Sequence, residues 1–466
     1  MNLTYNVKDK PSFGKILVFA LQQLLAILAA TIVVPAIING NTAGLVAEGY
    51  TVSQLSPAAA LFGAGVGTIV YLLFTRFKSP VFLGSSFAFL GSMTSAFAGA
   101  VSMQLGYFGL ILGCVFAGLV YVAIALVVKF VGTNWIDKFM PAVVIGPTVA
   151  IIGLSLAGNA IGDVKGSGWL GILCGIVTLF VTIICSVFGK KIVKMIPFII
   201  GIGAGYVLAT IFTLTGAADL VPFGKFNDME WVPHFTFIEG LKFNQFTYGN
   251  FGNMGAYIAS IAIAYIPVAF VVFAEHLADH KNLSSIIGSD LTKDPGLSNT
   301  LLGDGVGSMV GAFFGGAANT TYGESIATVA ISGNASTITI LVTAIMAIVA
   351  SFIGPFATLL ATIPSCVMGG VCIALYGFIA VSGLKMIQKV DLGDNRNLFV
   401  VSTILIAGVG GFVLNIGKVT LTAVAVALIL GIIVNVVCSI GKDKEQEPKK
   451  ETALDLEEES EETEEE

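Results

Sequence analysis

Apolar runs close to the length of a membrane-spanning helix recur along almost the whole chain. They fall at about 14–37, 57–75, 82–98, 107–129, 140–160, 168–188, 193–214, 253–278, 298–316, 319–332, 336–355, 362–384, 396–412 and 419–440. A hydrocarbon layer roughly 30 Å thick takes about twenty helical residues to cross. Inside it every backbone N–H and C=O must find a partner within the protein, so such runs become packed helices. With 56% of residues hydrophobic and only 11% charged, little chain is left for a soluble domain. The expected fold is therefore an all-α polytopic membrane protein with about fourteen transmembrane segments. The first run, Ile16 to Ile38, exceeds the roughly 7–15-residue core of a signal peptide and reads as a retained span.

Charge orients these spans. With both termini on the cytoplasmic side, 19 of the 23 Lys and Arg residues fall inside, leaving Lys165, Lys225, Lys242 and Lys418 outside. That asymmetry satisfies the positive-inside rule and predicts a multi-pass protein of the inner or plasma membrane. Segment 442–466 carries 13 acidic and 4 basic residues, repels itself and buries nothing, so a disordered acidic cytoplasmic tail is expected.

The six cysteines all lie in apolar segments without metal-ligand spacing and read as packing residues. Three histidines, His234, His276 and His280, make a metal site an unpromising expectation, and nothing basic or aromatic is arranged for nucleic acid. No nucleophile and base accompany the buried acids, so no enzyme is expected.

The longest loop, about 216–252, divides the runs into two sets of seven. Pro141 to Gly146 (PAVVIG) opens the fifth run and Pro364 to Gly369 (PSCVMG) opens the twelfth, with the same spacing. An odd number of spans per half inverts the second copy, giving a 7+7 inverted repeat as in many secondary transporters. The third and tenth runs, beginning Gly84-Ser85-Ser86 and Asn319-Thr320-Thr321, are too short and polar for lipid-facing helices. Extended backbone leading into half-helices is tolerated where it lines a cavity, and it directs N–H groups at a ligand.

Two carboxylates interrupt the apolar sequence. Glu275 ends the uncharged run Met254 to Ala274, and Glu324 follows the tenth run's polar opening. A charge at bilayer depth costs about 2.5–3.5 kcal/mol, which marks such residues as parts of a pathway. Asp279 lies one helical turn from Glu275 on the same face, either as its partner or as a solvated residue at the helix end. His276 and His280 read as residues of the polar end of the span, and Asp304 as interfacial. Gly303, Gly307, Gly311 and Gly315 form a small-residue face for close helix packing.

LQQLLAILAATIVVP (Leu21 to Pro35), LGSSFAF (Leu83 to Phe89), AEH (Ala274 to His276), DPGL (Asp294 to Leu297), NTTYGE (Asn319 to Glu324) and PSCVMGG (Pro364 to Gly370) together resemble the nucleobase-ascorbate transporter family, also called nucleobase:cation symporter-2. The resemblance is greatest to its bacterial uracil carriers. It implies a core domain from 14–130 and 253–355, a gate domain from 139–215 and 362–440, short antiparallel strands in spans three and ten, and a homodimer in lipid. By position it puts uracil against Glu275, Glu324 and the backbone amides of Phe87 and Gly323, with Tyr322 alongside. No further cofactor is expected beyond a coupled proton: a carboxyl that changes protonation during the cycle would couple uptake to the proton gradient, with Glu275 the first candidate and Asp279 the second. Xanthine or another nucleobase is the alternative substrate, and an anion exchanger or channel the alternative class. The chain departs from the family pattern at Gln22-Gln23, where relatives carry Gln-His, at Asp279, where uracil carriers often have His, and at Ala318, which replaces a proline.

Overall fold

The computed structural model describes residues 3–44, 53–99, 101–190, 192–416 and 419–440. The acidic segment 442–466 and Lys418 lie outside them. In chain order the first part holds α1 (Phe13–Gly44), α2 (Pro57–Phe74), β1 (Leu83–Ser85), α3 (Leu90–Ser95), α4 (Met103–Val131), α5 (Asn134–Phe139), α6 (Ala142–Ser155), α7 (Ala157–Lys165), α8 (Gly168–Phe188), α9 (Ile192–Met195) and α10 (Pro197–Leu214). A connecting stretch carries α11 (Thr236–Gly240). The second part holds α12 (Met254–Ile287), α13 (Leu297–Gly315), β2 (Asn319–Thr321), α14 (Gly323–Ser332), α15 (Thr337–Ser351), α16 (Gly354–Ala361), α17 (Ser365–Ile387), α18 (Asn395–Val409), β3 (Leu414–Ile416), β4 (Val419–Leu421) and α19 (Ala423–Ser439).

The chain is a mostly helical multi-pass membrane protein. Among the described residues eight helices are long and apolar enough to cross a bilayer, or nine when α15 and α16, bent by 85°, count as one span. The bend lies at Ile353, which is extended, just before Pro355 enters the first turn of α16; proline has no N–H with which to continue the hydrogen-bond ladder of α15. The run expected at 253–278 belongs to a helix that continues to Ile287 and ends on left-handed Gly288. Hydropathy marks where apolar surface stops, whereas the backbone hydrogen bonds run on through His276, Asp279 and Lys281. Ahead of α19 a β3–β4 hairpin, pairing Leu414 with Leu421, is an element that the apolar pattern concealed.

Close packing concentrates in two groups. In one, α13 packs on α2 and α4, α15 on α1 and α2, and α12 on α4; in the other, α17 packs on α6, α7 and α8, α10 on α8, and α18 and α19 on each other and on α6. The first group rests on the glycine face of α13. A Cβ at Gly63 would sit 2.3 Å from the Gly311 carbonyl oxygen, and one at Gly67 2.7 Å from that of Gly307. The two backbones are thus in near contact, which only glycine permits. Between the groups, α12 touches α6, α19 and β4, while α1 touches α10 and α17. Both α6 and α17 begin after an N-cap proline, Pro141 and Pro364, in extended conformation. Of the six cysteines, all unpaired, five are buried and Cys438 is partly exposed.

The antiparallel strands expected in the interrupted runs are present. β1 pairs with β2 in the register Leu83–Thr321, Gly84–Thr320 and Ser85–Asn319. Two further backbone bonds extend the ladder: Ser86 N–H donates to Ala318 O at 2.7 Å and Tyr322 N–H to Phe82 O at 3.1 Å. Every residue of both strands is buried. This ladder supplies the backbone partners that a non-helical segment needs at membrane depth.

Candidate functional site

A cavity of about 300 Å³ lies where the two strands end and the short helices after them begin, facing α12. The periodicity of α12 turns Glu275, Ala278, Asp279 and Asn282 toward it. On the strand side it meets Ser86, Phe87, Thr320, Tyr322, Gly323 and Glu324. All the residues proposed from the sequence, Glu275, Asp279, Phe87, Tyr322, Gly323 and Glu324, thus line one space.

Local structure explains how each is held. Gly323 and Glu324 form the first turn of α14, whose N-cap, Tyr322, offers no side-chain cap. The leading N–H groups of that turn have no intrahelical partner and carry the positive end of the helix dipole. Nothing lies within 4 Å of where a Cβ on Gly323 would stand, so its backbone is open to the cavity. The Tyr322 ring occupies the space that a side chain at Gly84 would need, 2.2 Å from the Cβ position, and its hydroxyl donates to Ser85 O at 3.0 Å. That phenol is a fixed wall with its proton already committed. The Phe87 ring stands edge-on to Tyr376 of α17, 5.5 Å between centroids, and so touches the second helical group.

Asp279 is not a solvated helix end. Its Oδ2 accepts from Thr321 Oγ1 at 2.8 Å, which ties α12 to β2. Gln23 of the divergent Gln22-Gln23 pair is buried, and its Nε2 donates to Ser325 Oγ on α14. Ser325 Oγ also accepts from the Phe82 N–H at 2.9 Å, so one hydroxyl joins α1, the residue leading into β1, and α14. Sequence gave no sign of Ser325, because an isolated serine in a polar stretch carries no distinguishing pattern.

Three expectations are corrected. Asp304 is not interfacial: it is 1% exposed, with Oδ2 2.7 Å from His276 Nδ1. His276 and His280 do not sit in a polar helix end. His276 is fully buried, its Nε2 3.1 Å from Thr300 Oγ1, and His280 places Nε2 2.7 Å from the Tyr71 hydroxyl. The two imidazoles stack 4.0 Å apart. These faces of α12 meet α13 and α2, and one-dimensional hydropathy does not register which neighbour covers a helix face. Lys194 of α9, counted from sequence only as a cytoplasmic charge, also lines the cavity.

The cavity therefore combines carboxylate acceptors, backbone donors at two half-helix starts and aromatic walls. Among the described residues no group of His, Cys, Asp and Glu is arranged to hold a metal. A polar cavity enclosed by helices long and apolar enough to span a membrane is the arrangement that a membrane transport protein needs.

The chain belongs to the permease family, whose model matches residues 14–417. It is 36% identical over 443 residues to the uracil permease of Bacillus caldolyticus, covering 93% of this chain and 94% of that one. It is likewise 36% identical over 456 residues to the uracil permease of Bacillus subtilis strain 168, covering 94% and 96%. Among solved structures, the transmembrane domain of the cyanobacterial bicarbonate transporter BicA superimposes with a TM-score of 0.60 at 15% identity, over 93% of this chain and all of that one. At that identity the likeness is one of fold alone. The family membership expected from NTTYGE and its companion motifs thus holds.

Proposed function

We propose that the protein is a secondary active transporter that takes up uracil with protons by alternating access across the cytoplasmic membrane, both termini facing the cytoplasm. The observation that carries this reading is the meeting of Glu275 and Glu324 in one cavity with the backbone of Phe87 and Gly323. Uracil is planar and presents ring N–H donors and carbonyl acceptors; carboxylates accept from the former, and backbone N–H groups donate to the latter. Charge-assisted bonds of this kind are the stronger sort. The names of the two Bacillus relatives support uracil over xanthine or another nucleobase. An inorganic anion fits poorly, because Glu275, Asp279 and Glu324 share the same lining.

In this reading the two helical groups are the moving parts. Segments 14–130 and 253–355 act as the core and carry both strands, while 139–215 and 362–440 act as the gate, as two inverted sets of seven spans. The matching N-cap prolines of α6 and α17 and the pairing of β1 with β2 support that organisation. A proton taken up on Glu275 or Asp279 couples to uracil if each favours binding of the other. The functional unit is a homodimer in lipid.

Labelled uracil uptake in cells lacking their own permease tests the reading, with xanthine as competitor and an uncoupler to collapse the proton gradient. Uptake by a well-expressed protein, abolished by the uncoupler, is expected. No uptake rejects uracil, and sodium-dependent uptake that survives the uncoupler rejects proton coupling. In purified protein Glu324→Gln is expected to abolish high-affinity uracil binding; an unchanged Kd removes Glu324 from the site.

A further inference from the structure

A second void, of about 10 Å³, lies where α4, α12, α13 and β2 meet, against Tyr121, Val272, Asp304, Gly305, Ser308 and Asn319. Its polar walls are buried, with Asp304 1%, Tyr121 4% and Ser308 6% exposed. Asp304 directs Oδ2 to His276, while its Oδ1 makes no hydrogen bond within the protein. The Tyr121 hydroxyl makes none with good geometry either, although Thr320 of β2 lies close to it, and its ring stands edge-on to His276 at 5.9 Å. Ser308 Oγ accepts the Asn319 N–H at 2.9 Å, which leaves its own proton to donate.

A buried carboxylate oxygen without a partner costs about 1–3 kcal/mol or more. Interior polar groups are relieved by water where the space reaches roughly 10–15 Å³ and offers two to four partners. The void is at the lower edge of that size and offers three. A hard cation takes about six oxygen ligands, more than these walls supply.

We propose that this void is an internal site for one water molecule, which accepts from Ser308 Oγ–H and donates to Asp304 Oδ1 and the Tyr121 hydroxyl. The water joins the His276–Asp304 pair, on α12 and α13, to the first residue of β2 through Ser308 and Asn319. It steadies the strand whose Thr321 holds Asp279 in the larger cavity. The site is independent of which solute the cavity carries.

A high-resolution structure of the full-length protein, in sodium and in sodium-free buffer, tests the assignment. Expected is a single peak about 2.6–3.2 Å from the three oxygens, unchanged without sodium. An empty void, or a peak that vanishes without sodium, overturns it. Amide hydrogen exchange then tests the link to the strand. Tyr121→Phe removes one of the water's partners, worth about 1 kcal/mol, so exchange at Asn319–Thr321 is expected to quicken about fivefold. Unchanged exchange in a folded Tyr121→Phe protein overturns the link, and the wild-type structure decides the site even if that variant does not fold.

Discussion

Gly323 offers the sharpest separation of binding from folding at the scale of one residue. A Cβ there would meet nothing within 4 Å, so Gly323→Ala disturbs no packing but places a methyl where the first N–H groups of α14 face the cavity. Thermal stability in detergent is expected to match wild type while uracil affinity falls about tenfold, the equivalent of one obstructed hydrogen bond; calorimetric titration beside a thermal melt checks both. Single residues also divide by how visible they are in the sequence. Glu275 and Glu324 are legible because a carboxylate is costly beside apolar sequence wherever it ends up. Asp304, His276 and His280 are not, since their meaning lies in pairings made between helices, and Lys194 reads as one more cytoplasmic charge until α9 is seen at the cavity.

Among the elements, α2 and α13 form the tightest joint, and glycine sets its spacing. Gly63→Ala puts a Cβ 2.3 Å from the Gly311 carbonyl oxygen, so the helices must separate, and the yield of monodisperse protein is expected to collapse. Gly158→Ala, with open space around it, is the neutral control in size-exclusion chromatography. The glycine face of α13 was apparent from spacing alone; its partner on α2 was not, because a small-residue stripe does not say which helix it meets. The connection around α11 is pinned differently. Glu239 is buried, accepts from Lys242 Nζ at 2.6 Å and from Gln104 Nε2 at 3.2 Å, and Lys242 holds its carboxyl below the usual range. Its stabilising contribution is therefore complete above the ordinary glutamate pKa of about 4.3 and is lost as pH falls through the depressed folded value. Amide protection around α11, measured against the intrinsic exchange rate at each pH, is expected to fall on acidification below about pH 4 in wild type, and Glu239→Gln is expected to remove that dependence.

For the whole molecule, transport requires the two helical groups to part and re-form their contacts. The cavity lining includes Lys194 and Asn282, whereas β4 lies on α12 and Thr422 approaches Gly91, within 3.3 Å of where its Cβ would be. A Gly91→Cys and Thr422→Cys pair in a cysteine-free background, joined by a short thiol cross-linker, is expected to stop uptake while leaving uracil binding intact. Continued uptake by fully cross-linked protein would show that this contact does not open during the cycle. The multi-pass helical class, the interrupted third and tenth runs and the two costly acids were determined by sequence alone, because membrane insertion and backbone satisfaction act on local composition; the count of about fourteen spans was not, since eight or nine helices among the described residues are long and apolar enough to cross. Tertiary structure decided that β1 lies against β2, that Asp279 is held by Thr321, that Ser325 joins three stretches of chain, and that Asp304 pairs with His276 inside the fold instead of meeting bulk solvent. Each of those depends on which distant segments meet, and a buried polar group takes its role from the partner that packing brings to it.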